Sequence, residues 1–296
     1  MVVTAAHFIK FLEVGDCGKV RMIRDIVVNL PLRANKDRTT AFSASLASYF
    51  DAHLTGIAFV LWPVIPCVEV GPGEAKFIKE QDAAAKQAAD AAVDRLAFEV
   101  RRENISWNSH EIAISVDGAP GRFAEIARAF DIAVVSQAEP GGDAIEQMII
   151  EAALFQSGNP ILVVPYVQKT APKIDRIVIL WDGSATATRA IAGAMPFLHR
   201  ALSIHLVSIV GERSLRGELA GADMAQHLSR HGLKVQSTRL QMVSDIPTTI
   251  LNYVAESSPD LLVMGGYGHS RFREIILGGA TRGILQGMTV PTLMSH

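Results

Sequence analysis

Hydrophobic positions along this chain fall into two alternating patterns. Short apolar runs over Asp25 to Leu30 (DIVVNL), Leu54 to Leu61 (LTGIAFVL), Asp131 to Ser136 (DIAVVS) and Pro160 to Pro165 (PILVVP) predict strands buried on both faces. Segments of helical spacing lie between them. After Thr39, read as an N-cap, Phe42, Leu46, Tyr49 and Phe50 share one face. The alanine-rich stretch Glu74 to Glu103 repeats Ala88, Ala92, Leu96 and Val100 at a four-residue step. A further strand is expected within Ile105 to Val116, with helices over Pro120 to Phe130 and Asp143 to Gln156. Uniformly apolar strands alternating with helices predict a parallel sheet covered on both faces.

The pattern then restarts. Val167 to Pro172 is polar and ends in a proline, which reads as a linker within residues 167–174. Strands are expected at Arg176 to Trp181 (RIVILW), Ser203 to Val210 (SIHLVSIV), Leu233 to Met242, Asp260 to Gly265 and Thr289 to Met294 (TVPTLM). Helices separate them at Ala185 to Arg200, Glu212 to His231, Pro247 to Ser257 and Gly279 to Gln286. The same order of elements occurs twice, an internal repeat at domain scale. The expected division is an extension over 1–21, one domain over 22–166 and a second over 175–296. Each is a flavodoxin-like α/β domain with a five-stranded parallel sheet.

Composition narrows the possibilities. With 296 residues, the chain is long enough for two domains that each bury a core. Hydrophobic residues at 49% and charged residues at 20% fit a globular protein. A formal net charge of −2 gives no electrostatic reason to expect nucleic acid or anionic lipid as a partner. No apolar run reaches the ~18–20 residues that span a bilayer, so no membrane partner is expected. Residues 1–21 make a poor signal peptide. Two cysteines, Cys17 and Cys67, are too few for a disulfide framework, and the expected compartment is the cytoplasm.

Candidate chemistry concentrates in one place. The run Leu261-Leu262-Val263-Met264 breaks into Gly265-Gly266-Tyr267-Gly268, and Gly278-Gly279 opens the next helix. A strand, a glycine loop and a helix N-terminus in that order suit a phosphate, because glycine lets a ligand approach backbone N–H groups. No G-x4-G-K-S/T loop occurs, and Gly266-Tyr267-Gly268 does not complete G-x-G-x-x-G, so neither a P-loop nor a dinucleotide fingerprint is indicated. His227 and His231 lie four apart on a helix without a third metal ligand and read as a solvated face. Asp182, in the WDGS stretch, is open to a second role with Ser184 as the cap of the following helix.

The spacing of Gly265, Gly268 and Gly278, set between apolar strands, resembles the nucleotide-binding signature of the universal stress proteins in their tandem form. That signature is a glycine, two residues, a glycine, nine residues, then a glycine followed by Ser or Thr. The resemblance covers roughly residues 22–296 and implies ATP, with Mg2+, in the second domain. It implies Asp182 and Ile209 beside the adenosine, Met264 and Gly265 on the ribose side, and Gly268, Gly278, Gly279, Ala280 and Thr281 at the phosphates. It also implies no catalytic residue, an intramolecular pseudo-dimer whose fifth strands meet, and a homodimer of chains. Gly279 stands where the family's ATP-binding members have Ser or Thr. A hydrogen bond to a charged group contributes roughly 1.5–3 kcal/mol, so its loss weakens binding by about one to two decades. Thr281 offers a hydroxyl two residues on.

The first domain lacks the signature. Gln137-Ala138-Glu139-Pro140-Gly141-Gly142 comes after its fourth strand, Asp143 and Glu146 add negative charge, and Asn29-Leu30-Pro31 ends its first strand without a match to Asp182. Alternatives to an ATP-binding stress protein are a ligand-free interaction module of the same fold and a slow ATPase. Asp182 and Glu274 are the carboxylates near enough to serve hydrolysis.

Overall fold

The computed structural model describes residues 22–32, 37–62, 72–142, 144–168, 173–210, 220–267 and 279–296. The first half runs β1 (Asp25–Asn29), α1 (Arg38–Phe50), β2 (His53–Trp62), α2 (Pro72–Glu103), β3 (Trp107–Ser115), α3 (Ala119–Ala127), β4 (Ile132–Ser136), α4 (Ala144–Gln156) and β5 (Ile161–Val164). The second runs β6 (Arg176–Leu180), α5 (Ala185–Leu198), β7 (Ser203–Val210), α6 (Ala220–Arg230), β8 (Val235–Gln241), α7 (Ile246–Ser257), β9 (Leu261–Gly265), α8 (Gly279–Gly287) and β10 (Thr292–Ser295). The repeated element order is as the hydrophobic pattern predicts. Cysteines 17 and 67 and residues 1–21 lie outside the described residues.

The strands pair in the order β3-β2-β1-β4-β5-β10-β9-β6-β7-β8. Within each half all pairs are parallel, giving the expected five-stranded doubly wound sheet. The two sheets are continuous, because β5 and β10 pair antiparallel with Leu162 opposite Leu293. Like strands meeting head to tail relate the halves by a pseudo-twofold, so one ten-stranded sheet runs through both. One face is covered by α1, α2, α5 and α6, whose Phe42, Leu96, Phe197 and Leu228 join one hydrophobic cluster. The other is covered by α3, α4, α7 and α8 through Phe123, Ile150, Ile250 and Ile284. Central strands β1, β4, β9 and β10 are almost wholly buried, whereas edge strands β3 and β8 alternate. Continuous apolar runs and alternation mark these two positions in a sheet.

Local signals explain most of the element ends. Asp37, not Thr39, caps α1: its Oδ1 accepts from the N–H of Thr40 at 2.9 Å. Asp is a stronger N-cap than Thr, and Thr39 instead points inward, 3% exposed. The four-residue step of α2 runs through buried Ala92, Leu96 and Val100, but Ala89 rather than Ala88 completes it. An aspartate precedes the fourth strand of each half for one structural reason. Asp131 accepts from the N–H groups of Arg24 and Asp25, and Asp260 from those of Asp175 and Arg176. Each clamps the start of its neighbouring first strand, at matching positions of the repeat.

Contacts across the junction involve both layers. Phe50 of α1 meets Phe197 of α5 edge to face at 4.9 Å, and the Arg200 guanidinium lies 4.8 Å over the rings of Tyr49 and Phe50. Among the described residues no helix is long and apolar enough to cross a membrane.

Candidate functional site

In a doubly wound sheet the strand order reverses where ligands bind, beyond the carboxyl ends of the strands. In the second half that reversal falls between β6, which continues to β7, and β9, which continues to β10. Asp182 lies just beyond β6. Leu180 pairs with Val207, so two residues further on Asp182 comes level with Ile209 near the end of β7. On the other side Ile179 pairs with Val263, which brings Met264 and Gly265 to the same rim. The structure therefore gathers Asp182, Ile209, Met264 and Gly265 at one crevice. Helix α8 begins at Gly279, with Ala280 and Thr281 in its first turn. Gly268 and Gly278, with the intervening residues 269–277, lie outside the described residues.

Each of these residues has a local cause for its position. Ser184 is the N-cap of α5, its hydroxyl accepting from the N–H of Ala187 at 3.1 Å. Asp182 holds the turn before it, its Oδ1 accepting from the N–H of Ser184 at 2.9 Å while the side chain stays exposed. Gly183 between them has φ +77°, which glycine adopts without penalty. Ile209 is half-buried, whereas the Met264 side chain is 6% exposed and belongs to the core on the α8 face. Gly265 is required by packing: a Cβ there would lie 2.5 Å from Thr186 Oγ1 and 2.6 Å from the backbone N of Ala187. The end of β9 thus presses against the first turn of α5.

The helix start offers less than the sequence suggests in one respect. The Thr281 hydroxyl accepts from the N–H of Tyr267 at 3.1 Å, and the residue is 4% exposed. Its oxygen ties the two ends of the glycine loop together. Gly279 is exposed, and among the described atoms nothing lies within 4 Å of where its Cβ would sit. The first turn of a helix carries main-chain N–H donors without intrahelical partners, so the start of α8 is of a kind that can hold a phosphate.

Tyr267 is the residue that spacing rules do not single out. It is non-glycine at φ +55° and only 4% exposed. Its ring packs 5.0 Å from Phe155 of α4, across the junction between halves, and Phe155 meets the His296 ring at 4.7 Å. Burial, with the charge of Glu151 nearby, pushes its hydroxyl up to about 12. Gln147 and Arg282 also face that hydroxyl, which makes no hydrogen bond of ordinary geometry among the described residues. A bulky residue interrupting a glycine run is the available signal.

The matching rim of the first half is built differently. Leu30 N–H donates to Ile57 O as Trp181 N–H donates to Val207 O, so Pro31 occupies the place of Asp182 and buried Phe59 that of Ile209. Ser136 replaces Gly265, and its hydroxyl bonds that of Thr39 at 2.8 Å. Arg95, from α2, donates to Asp37 Oδ2 at 2.9 Å and to the Pro31 carbonyl, spanning the rim beside the α1 cap. Gln137, 2% exposed, reaches across the junction and donates to Leu285 O on α8 at 2.8 Å. His227 and His231 are exposed and meet edge to face at 4.8 Å, and no metal-binding cluster occurs among the described residues.

Comparison with known proteins agrees with this architecture. The sequence model of the universal stress protein family matches residues 173–296. A curated universal stress protein from Synechocystis is 29% identical over 139 residues, 46% of this chain and 46% of that protein. The aligned part thus spans about half the length of that relative. In solved structures, a universal stress protein from Archaeoglobus fulgidus superposes with a TM-score of 0.70 at 12% identity, covering 92% of this chain and 96% of that one. A functionally unknown protein from Pseudomonas aeruginosa superposes at 0.59 and 12% identity, covering 92% of each chain. Identities this low speak to the fold, and the fold extends over both halves. Residues 173–296 thus match the universal stress protein family, and the N-terminal half repeats the same flavodoxin-like architecture in tandem.

Proposed function

We propose that the protein is a stress-response protein binding an adenine nucleotide, ATP, at the carboxyl rim of its C-terminal half. The observation that carries this reading is the convergence of Asp182, Ile209 and Gly265 on the strand-order reversal, with the first turn of α8 tied to the end of β9 through Thr281 and Tyr267. In this reading Asp182 and Ile209 border the adenosine, and Met264 and Gly265 the ribose. Because the Met264 side chain is in the core, its contribution is main-chain. Gly268, Gly278 and the N–H groups of Gly279, Ala280 and Thr281 receive the phosphates, with Mg2+ accompanying them. The Thr281 hydroxyl is assigned to loop closure instead, since it accepts from the N–H of Tyr267 and the residue is only 4% exposed. A cytoplasmic setting goes with this reading.

Saturating ATP is expected to raise the melting temperature, and Gly268→Val to abolish the rise. Unchanged melting of the wild type at millimolar ATP overturns the proposal. A second reading, an interaction module without nucleotide, is favoured by Gly279 in place of a hydroxyl and by the packing demand on Gly265. Mass spectrometry of small molecules released by heat from the purified protein separates the two: adenine nucleotide supports the first, none the second. Hydrolysis is a distinct question, answered by phosphate release above the Gly268→Val background.

A further inference from the structure

We infer that the N-terminal half fixes how the chain leaves β9 at Gly266 and Tyr267 and meets the first turn of α8 at Thr281, with Tyr267 as the positioning residue. The functional consequence rests on the nucleotide reading above; the physical coupling rests on contacts between described residues. The loop leaves β9 through Gly265, fixed against α5. Gly266 is next, its N–H donating to Ser295 O at 2.8 Å and its carbonyl 3.1 Å from His296 Nδ1. Tyr267 then turns the chain at φ +55°, a conformation that costs an L-residue free energy and that glycine would adopt at no cost. The ring offsets that cost, buried against Phe155 of α4 in the other half of the molecule. From this fixed point the Tyr267 N–H reaches Thr281 Oγ1, closing the loop's two ends on the first turn of α8.

A second tie works from the opposite end of the same helix. Gln137 of the N-terminal half donates to the Leu285 carbonyl near the C-terminus of α8, while its own Oε1 accepts from Tyr166 N–H at 3.2 Å. The helix whose N-terminus faces the proposed phosphates is therefore held at both ends through residues tied to the N-terminal half. At the position equivalent to Tyr267 that half has Ala138, which offers no ring to return the contact. The aromatic contact is therefore not duplicated by the repeat: only the end of β9, and not that of β4, is followed by a ring packed on the other half.

The test is Phe155→Ala, a change in the N-terminal half at a residue 42% exposed and outside the proposed ligand contacts. Met148→Ala, another exposed apolar residue of α4, is the control. Hydrogen exchange of the Gly266 and Tyr267 amides is monitored in nucleotide-free protein, and ATP affinity by calorimetry. In Phe155→Ala both amides are expected to exchange faster, and ATP affinity to fall about three- to tenfold, the equivalent of an aromatic pair. Phe155→Trp restores both, and Met148→Ala changes neither. Unchanged exchange at Gly266 and Tyr267 in Phe155→Ala overturns the inference. If the wild type binds no ATP, the nucleotide reading fails, and the exchange result alone still decides the coupling.

Discussion

The two halves share one topology and have opposite rims. At the reversal of strand order the C-terminal half offers Asp182, Gly183 and Gly265; the N-terminal half offers Pro31, Phe59 and an arginine clamp. The difference lies in the connection that leaves each fourth strand. Residues 137–143 lead straight into α4, whereas residues 266–278 separate β9 from α8. Ser136 can hydrogen-bond Thr39 because it stands back from α1; Gly265 has no side chain because β9 presses onto α5. The same fold thus carries two rims of different construction, one closed by an arginine clamp and one, among the described residues, without it.

Substitutions at paired positions can break that contrast, and the largest effect is expected at the caps. Asp37 caps α1 and pairs with Arg95, its side chain only 4% exposed, so Asp37→Ala removes a cap and strands a guanidinium. We expect a loss of about 3 kcal/mol in urea unfolding. Its counterpart Ser184→Ala removes a cap and a hydroxyl contact to Thr186 but strands no charge, and is expected to cost about 1 kcal/mol. Equal losses would mean that Arg95 contributes nothing to the N-terminal rim.

The fourth-strand pair comes next. Gly265→Ala drives a methyl into Thr186 and the α5 backbone and is expected to cost about 2 kcal/mol. Ser136→Ala loses one hydroxyl pair and is expected to cost about 1 kcal/mol. If Gly265→Ala is neutral, the close approach of β9 to α5 is not what requires glycine there.

At Tyr267 the expected effect is small and of opposite sign. Tyr267→Phe keeps the ring on Phe155 and removes a buried hydroxyl without a good partner, so a gain of about 1 kcal/mol is expected. Because the hydroxyl is raised from 10 to about 12 on folding, its neutral form is the one the fold favours. That contribution is complete below pH 10 and is lost as pH rises through about 12. The wild type should therefore lose stability relative to Tyr267→Phe across that window, measured by pH-dependent unfolding. Parallel pH profiles would contradict the burial of the hydroxyl.

Much of this architecture is legible in the residues. Unbroken apolar runs mark the strands, and their repetition after Pro172 marks the tandem order. The glycine spacing, with Asp182, points to one rim of two. Three features are not legible, each for a physical reason. Asp37 escapes notice as a cap because Thr39 stands closer to the apolar periodicity, although an aspartate accepts the N3 amide better. Fusion of the sheets through β5 and β10 is carried by ordinary apolar strands, TVPTLM and PILVVP, whose sequences do not encode which neighbour they pair with; only the family resemblance implies that meeting. The roles of Tyr267, Thr281 and Gln137 depend on contacts between residues that are far apart in sequence or that face a different half.

The central claim is that one rim of the two binds nucleotide. Calorimetric titration of the full chain with ATP measures it directly through the number of sites. The account predicts one site per chain, lost in Gly268→Val and retained in Arg95→Ala, which opens the N-terminal rim without supplying glycines. Two sites, or none, or a single site that survives Gly268→Val, would contradict it.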